Sequence, residues 1–155
     1  MNELFTVNRR TLLKSGGALT LTFAFPFPAF SQSGNVNIPK NLKRNPNLAS
    51  WLRVKSDGKI TLLIGKVELG QGTVTAAAQV AADELKIDFS RLNVISGDTV
   101  QGPNERTTAG SGSAPGCFPA VHQAAAEVRN ILLKMASEKL GESLDNLKII
   151  DGTIS

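Results

Sequence analysis

Lys59-Ile60-Thr61-Leu62-Leu63-Ile64-Gly65-Lys66-Val67-Glu68-Leu69-Gly70-Gln71-Gly72-Thr73-Val74-Thr75-Ala76-Ala77-Ala78-Gln79-Val80-Ala81-Ala82-Asp83-Glu84-Leu85 is the stretch on which the fold turns. Its first residues are rich in β-branched and apolar side chains, which suit a pleated, buried surface. Past the glycines the pattern changes: Val74, Ala77, Ala78, Ala81 and Leu85 recur at spacings of three and four, which predicts a helix over residues 73–85 with one apolar face. Upstream, Trp51-Leu52-Arg53-Val54-Lys55 is a second β-prone run. Ser56-Asp57-Gly58 separates the two, and Asp-Gly between such runs predicts a hairpin because glycine accepts positive φ at no cost.

Downstream, Leu92-Asn93-Val94-Ile95-Ser96 reads as a strand ending at Gly97-Asp98. Residues 99–119 hold four glycines, three prolines and several hydroxyls, long for a connection inside a compact domain and so a candidate functional segment. A second helix is expected over residues 120–140, with Val121, Ala124, Val128, Leu132, Met135 and Ala136 on one face and Gly141 as its stop. Leu147-Lys148-Ile149-Ile150 followed by Asp151-Gly152 opens another hairpin, and a returning strand of only three residues suggests a longer protein. The expected class is α+β: a small mixed sheet with helices packed on one face.

Residues 1–31 have the layout of an export signal: a charged start, a short apolar stretch from Gly16 to Phe25, and small residues before a cut near Ser31. The apolar stretch falls short of the roughly 20 residues a spanning helix needs. Asn8-Arg9-Arg10-Thr11-Leu12-Leu13-Lys14 resembles the twin-arginine motif, which predicts export to the periplasm in a folded state and, with it, a cofactor inserted before export. Residues 32–50, rich in Asn, Pro and Lys, read as an extended linker, with the folded segment spanning 51–155. The net charge is +4; without Arg9, Arg10, Lys14 and Glu3 it leaves 14 basic against 12 acidic residues. No basic face interleaved with aromatics is apparent, which argues against nucleic acid as a partner. Cys117 is the single cysteine, so an internal disulfide or a cysteine-ligated iron–sulfur centre is excluded for this chain alone.

Two segments are candidates for chemistry. Gly65-Lys66-Val67-Glu68-Leu69-Gly70-Gln71-Gly72 leads into a helix start, where glycines let a ligand approach the backbone and free amides attract anions. Gln71 adds a side chain that both donates and accepts. Thr107-Thr108-Ala109-Gly110-Ser111-Gly112-Ser113 offers small hydroxyl residues ahead of the second helix. His122, with no second histidine or carboxylate at metal spacing, reads as structural or solvent-facing, and Cys117 as a small buried residue.

In order along the chain, these loops, the helix carrying Asp83-Glu84-Leu85, and Gly97-Asp98-Thr99 resemble the molybdenum-binding large subunits of the xanthine dehydrogenase and aldehyde oxidase family. The branch of isoquinoline 1-oxidoreductase and nicotinate dehydrogenase β subunits is the most similar. The resemblance covers roughly residues 50–155 and implies a molybdopterin cofactor, with the cytosine dinucleotide as one candidate form. It places Gln71 near the metal's oxo ligand between Gly70 and Gly72, and Gly110, Ser111 and Ser113 along the cofactor. Gly112 departs from the pattern, standing where that branch often has a larger basic residue. The resemblance also implies a catalytic glutamate far beyond Ser155, which leaves Glu68 a loop or supporting group and the isolated chain inactive. An iron–sulfur small subunit, a cytochrome electron acceptor and the remainder of the large subunit are the implied partners, and N-heterocyclic aromatics or aldehydes the implied substrates.

Two rival readings stand beside it. A dinucleotide-binding domain fits poorly: Thr75 occupies the third glycine position, and Asp98 lies further on than the usual spacing of about 20 residues. The other is an exported, non-catalytic module whose glycine-rich loops bind an anion.

Overall fold

The computed structural model describes residues 7–8, 37–55 and 57–155. The segment read as an export signal lies outside the described residues apart from Val7–Asn8, which form a short strand, β1. The remaining elements are α1 (Lys40–Arg44), β2 (Leu52–Val54), β3 (Ile60–Ile64), α2 (Thr73–Leu85), β4 (Leu92–Ser96), α3 (Ser113–Leu140), β5 (Ile149–Ile150) and β6 (Thr153–Ile154).

The central sheet has the order β2-β3-β4, antiparallel in the first pair and parallel in the second, so it is mixed as expected. The hairpin pairs Leu52 with Leu62 and Val54 with Ile60 around Gly58, whose φ of 81° is the positive value the turn requires. A parallel neighbour needs a crossover, and α2 supplies it between β3 and β4. All five residues of β3 are buried, which accounts for an unbroken Ile-Thr-Leu-Leu-Ile run in place of an alternating one.

Both long helices pack on each other and against this sheet. Their contact faces are built from small residues: Ala77, Ala78 and Ala81 on α2, and Ala120, Ala124 and Ala125 on α3, all at most 1% exposed. Alanine brings helix backbones close, and Leu85, Val121, Val128 and Leu132 belong to the same buried cluster. A two-pronged contact also joins the helices: Glu84 takes His122 Nε2 at 3.0 Å and Arg129 Nη2 at 2.9 Å. His122 thus has a carboxylate partner from a different helix, which no spacing within its own segment reveals.

Three differences from the sequence reading have physical causes. α3 begins at Ser113 and not at residue 120. Pro115 falls in the first turn, where no amide is needed, and Pro119 forfeits only the bond to the carbonyl of Pro115, so neither proline delays the helix. Residues 40–50 are not an extended arm: Leu42 and Leu48 are buried in the main core, Ala49 is buried beside Leu48 in the chain, and Trp51 Nε1 donates to the Asn45 carbonyl at 2.9 Å. The polar residues between those three apolar ones mask the signal. Finally, the returning strand of the last hairpin is paired on both sides, with β5 and with β1. Asp151 and Gly152 both have positive φ, as the tightest hairpin turns demand.

Candidate functional site

β3 runs out at Ile64, and the chain must then leave the sheet before α2 begins. Gly65 makes this exit possible. A Cβ there would lie 2.0 Å from the Pro103 carbonyl oxygen, so the two candidate loops meet at a point where only glycine fits. From that contact the loops are laced together. The Gly65 amide donates to Glu105 Oε2 at 2.9 Å, and Lys66 Nζ donates to the carbonyls of Glu105 and Thr107, both at 2.8 Å. The Val67 amide donates to Thr108 Oγ1 at 2.9 Å. Asn41 Nδ2 donates to Glu105 Oε1 at 2.9 Å and ties in α1. Lys66 and Glu105 are 3% and 2% exposed, a cost in solvation that the hydrogen bonds around them offset. Nothing in the sequence marks this pair; two isolated charges in glycine-rich loops carry no pattern that sets them apart as buried.

Clamped in this way, the loops form one cleft of about 450 Å³ whose walls include Leu69, Gln71, Thr73, Gly110, Ser111 and Ser113. Four of the six residues singled out from the sequence therefore line a common space; Gly70 and Gly72 sit in the adjoining loop. With φ of 93° and 72° these two glycines are fixed by conformation and not by crowding, since a Cβ at either would meet nothing within 4 Å. A Cβ at Gly72 would therefore meet no atom of the first helical turn.

The loop before α2 is also not the open anion site that its glycines suggest. Glu68 folds back over the helix start and accepts from the amides of Gly70, Gly72 and Val74 at 2.9, 2.8 and 3.1 Å. Those bonds, with Val74 contributing most and Gly72 next, hold its carboxyl below the ordinary glutamate range. Gln71 is likewise turned onto its own loop, accepting from Leu69 N–H at 2.6 Å and donating to the Val67 carbonyl at 3.0 Å. One of its two amide hydrogens is left over for a ligand.

At the start of α3 the situation is reversed. The hydroxyls of Ser111 and Ser113, and the amides of Gly110 and Ser111, have no partner among the described residues. No acidic residue occupies the first turn of α3, and Ser111 holds a left-handed φ of 54° that brings the chain round into the helix. This end, and not the Gly70–Gly72 turn, is the open anion-attracting terminus of the cleft.

Because the Glu68 contribution to loop order depends on the charged carboxylate, acid should remove it. A carboxyl whose folded value is depressed stabilises above its unfolded value and loses that contribution as pH falls through the folded one, here below the ordinary glutamate range. We expect the Gly70 and Gly72 amide signals to shift together in that window in a nuclear magnetic resonance titration. Flat signals down to about pH 2.5, roughly two units below the unfolded range, would show that Glu68 does not hold the loop.

The other chemistry-bearing groups lie outside the cleft. Cys117 is fully buried; burial above all, then the Glu105 carboxylate beside it, pushes its thiol far above the usual range, so it is no nucleophile. No group of three or more His, Cys, Asp or Glu side chains arranged to hold a metal ion occurs among the described residues.

Residues 28–155 match the family described as the molybdopterin cofactor-binding domain. A nicotinate dehydrogenase subunit of Pseudomonas putida is 35% identical over 69% of the chain, and the β subunit of isoquinoline 1-oxidoreductase of Brevundimonas diminuta is 30% identical over 98% of it. Quinoline 2-oxidoreductase from Pseudomonas putida 86 superimposes with a TM-score of 0.56 at 26% identity over 66% of the chain. The chain spans 9% and 20% of the first two relatives and 13% of the third.

Proposed function

Since the chain belongs to the molybdopterin cofactor-binding domain family, within the xanthine dehydrogenase and aldehyde oxidase type of oxidoreductase, we propose that the cleft between its two loops holds one flank of that cofactor. The observation that carries this reading is the meeting of Gln71 with Gly110, Ser111 and Ser113 around one space. The donors present suit a polar, anionic heterocycle. Ser111 and Ser113, with free hydroxyls, and Gly110 and Ser111, with free amides, line the cleft at a helix start, and the open space around Gly110, where a Cβ would meet nothing within 4 Å, admits a flat ring close to the backbone.

When bound, the molybdenum centre supplies the two-electron redox step. The residues of this chain bind and orient: the start of α3 takes the phosphate end, and the spare Gln71 amide hydrogen takes an acceptor on the cofactor edge. The proton-accepting base and the electron path come from elsewhere, so activity on N-heterocyclic aromatics or aldehydes requires the rest of a large subunit, an iron–sulfur subunit and an electron acceptor such as a cytochrome.

In the full-length enzyme, Gln71→Ala should lower turnover by about one to two decades, the equivalent of one hydrogen bond to a strongly polar group at roughly 1.5–3 kcal/mol. Molybdenum per protein should fall with it. The melting temperature should move by only a few degrees, because the two intraloop bonds Gln71 also loses are exposed and neutral. A fully loaded, fully active Gln71→Ala enzyme would sink the cofactor contact.

Export is a separate proposal and rests on Arg9 and Arg10. Their replacement by Lys should strand the precursor in the cytoplasm, because paired guanidinium groups are the part of the twin-arginine address that is read. Normal amounts of the double-Lys form in the periplasm would refute the assignment.

A further inference from the structure

A second and larger cleft, of about 710 Å³, lies on the other side of the 106–112 segment, between α1 and the start of α3. None of the six residues proposed to touch the cofactor lines it. Its charge is lopsided. Lys40, Lys43, Arg44, Arg106 and Lys66 border it, against the single carboxylate of Glu105. That carboxylate is already committed to the Gly65 amide and the Asn41 side chain. Lys66 is only 3% exposed, yet among the described residues it has no ion-pair partner; its ammonium is met only by two carbonyls, which leaves one N–H unused. Lys40, Lys43, Arg44 and Arg106 have no acidic partner among the described residues either, Arg44 bonding only the neutral amide of Asn41, so four exposed cations and one buried one line the same volume without neutralisation.

Such an arrangement is self-repelling unless an anion fills it. The cations come from three separate segments and surround a space; they are not strung along a strip, as a groove for an acidic peptide would be. A buried ammonium with a spare N–H also selects a compact ligand that can reach it. We propose that this cleft is a binding site for a small, multiply charged oxyanion of the phosphate class. Arg44 and Arg106 offer forked donors to its oxygens, and Lys40, Lys43 and Lys66 act as point charges. Arg106 is held ready by its neighbours: its amide donates to Asn104 Oδ1, and Asn104 in turn is paired with Asn45, whose Nδ2 also bonds the Asn41 carbonyl.

Inorganic pyrophosphate is the probe, titrated into the chain at about 0.05 M salt, where charge screening is moderate, and followed by amide chemical shifts and calorimetry. Saturable binding with shifts centred on Arg106, Thr107 and Gly116 is expected. The double variant Lys43→Gln, Arg106→Gln removes two exposed cations without touching the buried network and should bind at least about tenfold more weakly. Lys134→Gln, Lys148→Gln carries the same charge change away from the cleft and should bind as the native chain does. No saturation by about 10 mM, or an equal loss in the two double variants, would overturn the proposal. Tighter binding of a hexa-aspartate peptide than of pyrophosphate would assign the cleft to an acidic protein segment and overturn it as well.

Discussion

Gly65→Ala should destabilise the domain by roughly 3 kcal/mol or more, the upper end of what an overpacked site costs. The reason is geometric. The added methyl would lie 2.0 Å from the Pro103 carbonyl, 3.0 Å from the Glu105 amide nitrogen and 3.1 Å from Glu105 Cβ. All three are backbone or near-backbone atoms and cannot swing aside as the tip of a long side chain can. The 103–107 segment must then retreat from the end of β3, stretching the bonds that Gly65 and Lys66 make to it. For a folded unit of this size, about 1 kcal/mol is worth several degrees of melting temperature, so a fall of more than about 10 °C is expected in thermal unfolding. Gly72→Ala is the useful comparison. Its Cβ meets nothing, and only the left-handed φ of 72° opposes it, at a cost of roughly 1–2 kcal/mol. If the two alanine variants melted together, the close contact of the loops at Gly65 would be wrong.

Glu105→Ala should be comparably severe for a different reason. It would leave the Gly65 amide and Asn41 Nδ2 without acceptors, and buried orphan donors cost about 1–3 kcal/mol each. It would also leave the Lys66 ammonium as the one buried charge of the network. Glu105→Gln keeps an acceptor for one of the two donors and should fall between native and Ala. The order native, Gln, Ala in urea midpoint is the expected result. A Gln variant no better than Ala would show that charge and not bond count governs the site, and a native-like Ala variant would remove the network from the account altogether.

Much of this is legible in the sequence, and the parts that are not share a cause. The hairpin around Gly58, the bounds of α2 and the strand from Leu92 to Ser96 follow from periodicity and turn chemistry, which are properties of neighbours in the chain. Four of the chosen site residues do meet in one cleft, because the two loops are each marked by glycines before a helix. What escapes is non-local. Glu105 and Lys66 are 39 residues apart along the chain, and their burial depends on a contact between loops that no window of sequence contains. Glu68 is visible as a loop residue, but its capture of three amides depends on how the loop turns. Pro119 reads as a helix barrier when, near the start of α3, its cost is a single bond.

The position of Glu68 bears on how a ligand would enter. With its own carboxylate already closing the helix start, the turn from Val67 to Val74 has its shape before anything binds. A loop that waits for a phosphate to organise it must surrender conformational freedom at the moment of binding, and affinity is lost in proportion. Here that entropy is given up during folding. The wall of the cleft that carries Gln71 is therefore a template, and the polar groups still free to take up new hydrogen bonds are on the opposite wall, at the unpartnered serines at the start of α3.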